Sequence, residues 1–192
     1  MNNPNSSDFP KALHSILADT DSAGFTMASE PLTGSLLKTL AASKRGSRFL
    51  ELGTGTGIST AWILAGMDQK SSLISVDHDM KFLDIAQKHL GNDTRLTSVC
   101  EDGGQWLKRN KGDMFDFIFA DTWHGKFLML DETLDMLHKG GFYIIDDLLP
   151  QSNWPEGHQD KVHQLIDTLE ARKDLVIAKM NWATGLIVAT KI

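Results

Sequence analysis

One stretch constrains this chain more than any other: Arg48-Phe49-Leu50-Glu51-Leu52, running into Gly53-Thr54-Gly55-Thr56-Gly57 and then Ile58-Ser59-Thr60. The short apolar run over 49–52 has the length and composition of a buried strand. Three glycines at alternate positions follow at once, and the apolar residues of 58–64 return at helical spacing. A strand, a tight turn and a helix start, in that order, mark the edge at which open α/β sheets bind ligands. Glycine leaves no Cβ in the way of a ligand approaching the backbone, and the first helical turn offers unpaired N–H groups to an anion.

Spacing and charge narrow the ligand. A dinucleotide turn runs G-x-G-x-x-G, which would put its third glycine where Ile58 stands; here Gly57 comes one position early. Glu51 adds a carboxylate inside the strand, two residues before the first glycine. Like charge repels a diphosphate there, and opposite charge holds an ammonium. S-adenosylmethionine (SAM) carries an amino group, a carboxylate, a sulfonium and an adenosine, and no phosphate. Glu51 for its ammonium, with Ser59 and the helix N–H groups for its carboxylate, makes a consistent set. Gly53, Thr54, Gly55, Thr56 and Gly57 then line the cofactor. A glycine-rich turn with no ligand is the competing reading.

The 192 residues fit one domain, and a hydrophobic content of 41% supplies a core. Acidic residues outnumber basic ones, 25 to 19, and no basic run stands out, which argues against nucleic acid as a partner. No stretch is long and apolar enough to span a membrane. The one cysteine, Cys100, excludes an internal disulfide and fits a reducing, cytoplasmic compartment; it reads as a small buried residue at a strand end. Residues 1–10 are polar, unlike a signal peptide, and are expected to fray. Residues 1–24 read as an N-terminal extension with a short helix at 11–17, and 25–192 as a single domain.

Within that domain a helix is predicted to start near Pro31, since proline suits a first helical turn. Strands are predicted over 49–52, 72–77, 96–100, 115–121 and 142–147, with helices between them from residue 58, near 80–90, after 103 and over 127–137. A helix over 159–171 precedes two strands at 175–180 and 185–190, whose short link favours an antiparallel hairpin. The alternation implies an α/β, Rossmann-like, doubly wound and mostly parallel sheet with a C-terminal antiparallel hairpin. Several strands end in acids, and ligands bind outside the carboxyl ends of such strands. Gly53, Asp77, Asp102, Asp121, Asp146 and Asp147 should therefore share one rim.

Asp77 lies about twenty residues past the last glycine, the spacing at which a carboxylate reaches ribose hydroxyls. Asp102 suits either an adenine amine or the N-cap of the helix that Gly103 opens. Asp121, Asp146 and Asp147 would repel one another unless a cation sits among them, and three oxygen donors suit a hard divalent ion such as magnesium. Such an ion also holds neighbouring substrate oxygens and acidifies a hydroxyl. The competing reading is a turn relieved by protons or lysines. His124 and Lys126, close behind Asp121, are both candidates to take a proton from a substrate hydroxyl. Trp123 suits a flat adenine or substrate ring, and Trp154, Glu156 and His158 a lid or pocket wall.

These residues together resemble the class I SAM-dependent methyltransferases, and among them the small-molecule O-methyltransferases related to catechol and caffeoyl-coenzyme A O-methyltransferases. The resemblance rests on Glu51-Leu52-Gly53-Thr54-Gly55-Thr56-Gly57, Asp77, Asp121-Thr122-Trp123-His124, the run from Gly140-Gly141 to Asp146-Asp147, and the upstream Met27-Ala28-Ser29-Glu30-Pro31. It implies that Met27, Ala28 and Ser29 touch the methionine end of SAM, that Glu51 and Ser59 hold its amino and carboxylate groups, and that Asp77, with neighbouring His78, holds the ribose. It also implies that Trp123 packs on the adenine, with Asp102 and Gly103 at its edge. Asp121, Asp146 and Asp147 match the metal positions, with Asp147 where the family usually has Asn. His124 stands where the family has its catalytic lysine, and Lys126 is the nearby substitute. The implied reaction moves a methyl group to a hydroxyl of a small acceptor, of which a catechol is one example; a homodimer is also implied. A metal-independent methyltransferase, a non-catalytic SAM-binding module and an aminopropyl transferase are the alternatives.

Overall fold

The structure is a computed structural model that describes residues 8–151 and 154–192. Its elements follow in the order α1 (Leu13–Ala23), α2 (Pro31–Ala42), β1 (Arg48–Leu52), α3 (Ile58–Gly66), β2 (Ser72–Asp77), α4 (Met80–Leu90), β3 (Leu96–Cys100) and α5 (Gly103–Arg109). They continue with β4 (Phe115–Ala120), α6 (Leu130–Asp135), β5 (Leu137–Ile145), α7 (His158–Ala171), β6 (Leu175–Met180) and β7 (Leu186–Lys191). The seven strands form one sheet in the order β3-β2-β1-β4-β5-β7-β6. The first five run parallel, and β7 pairs antiparallel with both β5 and β6. The strand order reverses between β1 and β4, so the rim above that pair is the expected ligand crevice.

Strand alternation feeds two cores. Phe49, Phe117 and Phe119 face one side, where Leu13 of α1, Leu37 of α2, Trp62 and Ile63 of α3 and Leu90 of α4 cover them. Leu50, Leu52, Ile118 and Ala120 face the other, against Trp106 and Leu107 of α5, Leu134 of α6 and Val162, Leu165 and Leu169 of α7. Both faces of the central strands are thus dry, which explains their near-continuous apolar composition.

Local signals set several boundaries. Pro31 occupies the first turn of α2, and Gly24, at φ 70°, closes α1 in the left-handed conformation that glycine adopts without strain. α1 outruns the expected helix over 11–17. Of the stretch expected to fray, residues 1–7 lie outside the described residues, whereas Pro10 is buried and the Phe9 ring meets the Trp62 ring edge-on at 5.4 Å. Cys100 is exposed, not buried: it is the last residue of β3, an edge strand of the sheet.

The helix expected over 127–137 shrinks to α6. Gly125 and Met129 have φ of 83° and 57°, which breaks helical winding, and the N–H groups of Phe127 and Leu128 both return to the Trp123 carbonyl. β5 starts earlier than expected. Phe115 pairs with Leu137 but Phe117 with Phe142, so Gly140-Gly141 lies in an irregularity inside the strand and not in a turn before it. Asp121, Asp146 and Asp147 all stand just beyond the strands that carry them.

Candidate active site

The glycine turn joins β1 to α3 at the reversal point of the sheet. At Gly53, φ is 101°, and a Cβ would come within 2.7 Å of the Asp121 carbonyl oxygen. Gly57, at φ 90°, is crowded by Ala86 at 2.9 Å. No other residue type fits either position without moving a neighbour. Gly53 donates to the Val76 carbonyl and Asp121 to the Leu52 carbonyl, each at 2.8 Å, so β1, β2 and β4 present their ends together. The Thr54 and Thr56 side chains are buried, against Ser75 Oγ at 2.6 Å and Thr20 Oγ1 at 2.8 Å respectively. Only their backbone is left for a ligand.

Glu51 lies beneath the turn, at 0% exposure. Its Oε2 accepts from Thr60 Oγ1 and Ser75 Oγ, both at 2.5 Å, while buried Oε1 has no partner. Burial pushes its carboxyl up to about 7, against the lowering pull of hydroxyl donors from Ser59, Ser75 and Thr60. Ser59 is likewise almost fully buried. The cradle that a Cβ would fill at Gly53 and the unpartnered Glu51 oxygen below it fit a ligand with a cationic group near the turn.

Asp77 closes β2. Its Oδ2 accepts from the Gly55 N–H at 2.8 Å and its Oδ1 from the Asp79 N–H at 3.0 Å. His78 is exposed beside it, with Nδ1 at 3.6 Å from Asp77 Oδ1. Asp102 is the N-cap of α5, accepting from Gln105 N–H at 2.9 Å. His124 packs there: its Nδ1 lies 3.8 Å from Asp102 Oδ2, and a Cβ at Gly103 would meet the His124 Cβ at 3.1 Å. The side chain of His124 thus rests against the start of α5 and the ring of Trp123 on the α7 side, 5.7 Å from Phe127, 6.0 Å from His158 and with Lys161 Nζ 4.3 Å over its face. Trp123 is 43% exposed.

The three acids converge. One carboxylate oxygen from each of Asp121, Asp146 and Asp147 lies within 4.8 Å of the others. Asp121 Oδ2 accepts from Ser29 Oγ at 3.0 Å, and Asp147 Oδ1 from Gln151 Nε2 at 2.7 Å. Asp146 Oδ1 is buried with no partner. Burial raises Asp121 to about 6 and raises Asp146 well above the usual carboxylate range, and their mutual proximity adds to the second effect. Lys126 opposes both shifts; it is 4% exposed, with no hydrogen-bond or ion-pair partner for its ammonium among the described residues. An all-oxygen donor set with an orphaned buried oxygen fits a hard divalent cation. Asp147 holds φ 57°, a strained value for a non-glycine residue, and such outliers cluster at binding sites.

Met27 is 71% exposed on the segment between α1 and α2, and Ala28 beside it is half-buried; Ser29 alone of the three contacts the trio. Among the described residues, Trp154 and His158 pack at 4.7 Å, next to Phe127, as part of a wall.

Residues beyond those singled out in the sequence also shape the site. Tyr143 Oη, fully buried, donates to the Gly125 carbonyl at 2.6 Å and so pins the loop that carries Lys126. Thr20 and Phe25 bring the N-terminal segment onto the glycine turn; the Phe25 ring would meet a Cβ at Gly55 at 3.0 Å. Lys161 reaches Trp123 from α7. The sequence carries no short-range mark of these contacts. The one available hint is that Tyr143 is the only tyrosine, on a strand otherwise apolar around it.

Comparisons with known proteins place the fold and the family. A family profile described as a methyltransferase domain matches residues 50–148. Catechol O-methyltransferase of Mycobacterium tuberculosis is 24% identical over 143 residues, covering 72% of this chain and 65% of that protein. A Mycobacterium ulcerans protein, provisionally named an O-methyltransferase, is 30% identical over 96 residues, covering 48% of this chain and 43% of its own; the chain spans less than half of that relative. Among solved structures, an O-methyltransferase from Bacillus cereus in complex with SAH superposes with a TM-score of 0.81 at 20% identity, covering 98% of this chain and 92% of that one. The profile runs from β1 past Asp147, taking in the glycine turn, Asp77 and all three acids, and it spans more than half of the chain: this protein belongs to the methyltransferase domain family.

Proposed function

We propose that the protein transfers a methyl group from SAM to a hydroxyl oxygen of a small acceptor, assisted by a divalent cation. The observation that carries this reading is the abutment of two unlike sites: the glycine cradle at Gly53 touches Asp121, and Asp121 belongs to the acid trio. A cofactor on the turn and an acceptor at the acids would therefore be neighbours, and proximity with orientation is the main resource for an in-line transfer.

SAM, when bound, supplies a methyl carbon made electrophilic by its sulfonium. A divalent cation, when bound, supplies a hard positive charge that acidifies an adjacent hydroxyl. Asp121, Asp146 and Asp147 hold that cation, Ser29 steadies Asp121, and Gln151 steadies Asp147. Glu51 acts from beneath the turn as the counter-charge for the cofactor ammonium, and Ser59 with the first N–H groups of α3 receives the carboxylate. Met27 and Ala28 cover the methionine end. Asp77, with His78 at its side, takes the ribose; Asp102, Gly103 and Trp123 surround the adenine. Lys126, as its neutral amine, is the residue that takes the proton from the acceptor hydroxyl and becomes the ammonium, since it is the one of the two candidates that stands by the acids, while His124 packs on the adenine side against Asp102.

Incubation of the purified protein with SAM, magnesium and catechol, read by mass spectrometry, tests the reading. The expected result is a monomethyl ether and SAH in equal amounts, both lost on exhaustive chelation. Full turnover after chelation would favour a metal-independent enzyme, and SAH binding without any methylated product a non-catalytic cofactor-binding module.

A further inference from the structure

Past the end of β5 the chain falls out of step with its neighbour. Ile145 pairs with Ile187, so an unbroken antiparallel ladder would set Leu148 opposite Thr184 and Leu149 opposite Ala183. The N–H groups of Leu148 and Leu149 donate instead to the carbonyls of Gly185, at 3.2 Å, and Thr184, at 2.8 Å. One extra residue is therefore taken up between Ile145 and Leu148, the stretch that holds Asp146 and Asp147. A bulge of this kind bends a strand and re-aims a side chain. Asp147 takes the strained conformation at this step, with φ 57°.

The turn between β6 and β7 maintains the offset. Ala183, at φ 51°, and Gly185, at φ 89°, shape it, and a Cβ at Gly185 would come within 2.7 Å of the Leu149 nitrogen. Thr184 Oγ1 accepts from the Asp147 N–H at 3.4 Å. On its other side the turn is tied to α2: Trp182, half-buried against the core, donates from Nε1 to the Leu32 carbonyl at 3.0 Å. Leu32 follows Ser29 by three residues, and Ser29 donates to Asp121. One turn thus reaches from the segment that carries Asp147 to the start of α2, next to the residue that holds Asp121. A strained residue keeps its conformation only where its surroundings over-determine it, and this turn supplies three hydrogen bonds to residues 147–149.

We infer that the β6–β7 turn is the positioning device of the cation site, with Thr184 and Trp182 as positioning residues that hold Asp147 in register with Asp121 and Asp146. The inference rests on the cation-assisted reading above. It adds the part of the chain that fixes the ligand geometry, a hairpin turn outside both the glycine turn and the acid trio.

The test titrates manganese into the SAH complex of the wild type, Thr184→Val, Thr184→Ser and Trp182→Phe, read by the loss of the free-ion EPR signal, with SAH affinity measured alongside. Thr184→Val keeps the shape and Trp182→Phe an aromatic ring, and each removes one hydrogen-bonding group. Each should weaken manganese binding by about fivefold, the worth of one net hydrogen bond, and leave SAH affinity unchanged. Thr184→Ser keeps the hydroxyl and should bind manganese like the wild type. Unchanged manganese affinity in both Thr184→Val and Trp182→Phe overturns the proposal, and so does a parallel loss of SAH affinity, which marks general loosening. Failure of Thr184→Ser to recover the wild-type affinity strikes the Thr184 role. A wild type that binds no manganese sinks the cation reading and this inference with it. A wild type that binds manganese but methylates no acceptor sinks the methyl transfer and leaves the positioning role standing.

Discussion

The hydroxyl of Tyr143, in the interior of β5, reaches across to the backbone carbonyl of Gly125, eighteen residues earlier, at 2.6 Å. Gly125 sits at φ 83° between Trp123 and Lys126, so this bond fixes the backbone on which both candidate side chains are mounted. Tyr143→Phe leaves the ring in place and removes the donor. It should cost about 1–2 kcal/mol of stability, the price of an unmade buried hydrogen bond, measurable as a lower urea midpoint. Turnover should fall with little change in SAM affinity. Unchanged kcat would mean that the loop is held by packing alone.

Lys126 and His124 should separate cleanly. Lys126→Met preserves bulk and removes the amine; kcat is expected to fall by about 100-fold or more, the usual scale for a lost general base, with the SAM dissociation constant nearly unchanged. His124→Ala is expected to spare kcat and weaken cofactor binding modestly. The opposite pattern in steady-state kinetics would return the base to His124.

Glu51 gives a pH prediction in the ligand-free protein. Its folded value is raised by burial to about 7 from 4.5, so the fold prefers the protonated form. Its stabilising contribution is full below 4.5 and is lost as pH rises through about 7. Glu51→Gln mimics the protonated state, so it should match the wild type near pH 5 and exceed its melting temperature near pH 8. SAM affinity in the same variant should drop, because the counter-charge is gone. A stability difference independent of pH would contradict the burial argument.

Metal affinity should also depend on pH. Burial raises Asp121 to about 6, with Asp147 adding to the effect and Asp146, Lys126 and Ser29 opposing it. Both raised carboxylates, Asp121 and Asp146, must be ionised to ligate, so affinity for manganese or magnesium should weaken by about tenfold or more per unit as pH falls below 6. Titration calorimetry at pH 5, 6 and 7.5 checks this, and Asp146→Asn should abolish the heat while leaving SAH binding intact.

Asp77→Ala should weaken SAM by about tenfold or more, the worth of a bidentate carboxylate contact. Because Asp77 also holds the Gly55 N–H, the melting temperature should fall slightly as well. Unaltered affinity would remove the ribose assignment.

Much of the framework was legible in the sequence because its signals are local. β2 and β3 keep the bounds expected over 72–77 and 96–100, and Pro31 marks the start of α2 by its backbone preference. The convergence of Asp121, Asp146 and Asp147 was legible because parallel strands deliver their ends to one rim. What escaped depends on tertiary contact or on backbone strain. The positive φ of Met129 truncates α6, and no residue type announces it. Cys100 is exposed at the end of β3, which has no neighbouring strand beyond it, a fact of strand order. His124 and Lys126 are equally plausible bases by spacing; only the Gly125 conformation sends one toward α5 and the other toward the acids.

The sheet order carries a consequence for assembly. β5, from which Asp146 and Asp147 hang, remains an unpaired margin on one side until β7 docks, and β6 reaches the sheet only through β7. The margin that carries Asp146 and Asp147 is therefore closed only by the pairing of β7 with β5, and without that pairing β5 is an open sheet edge.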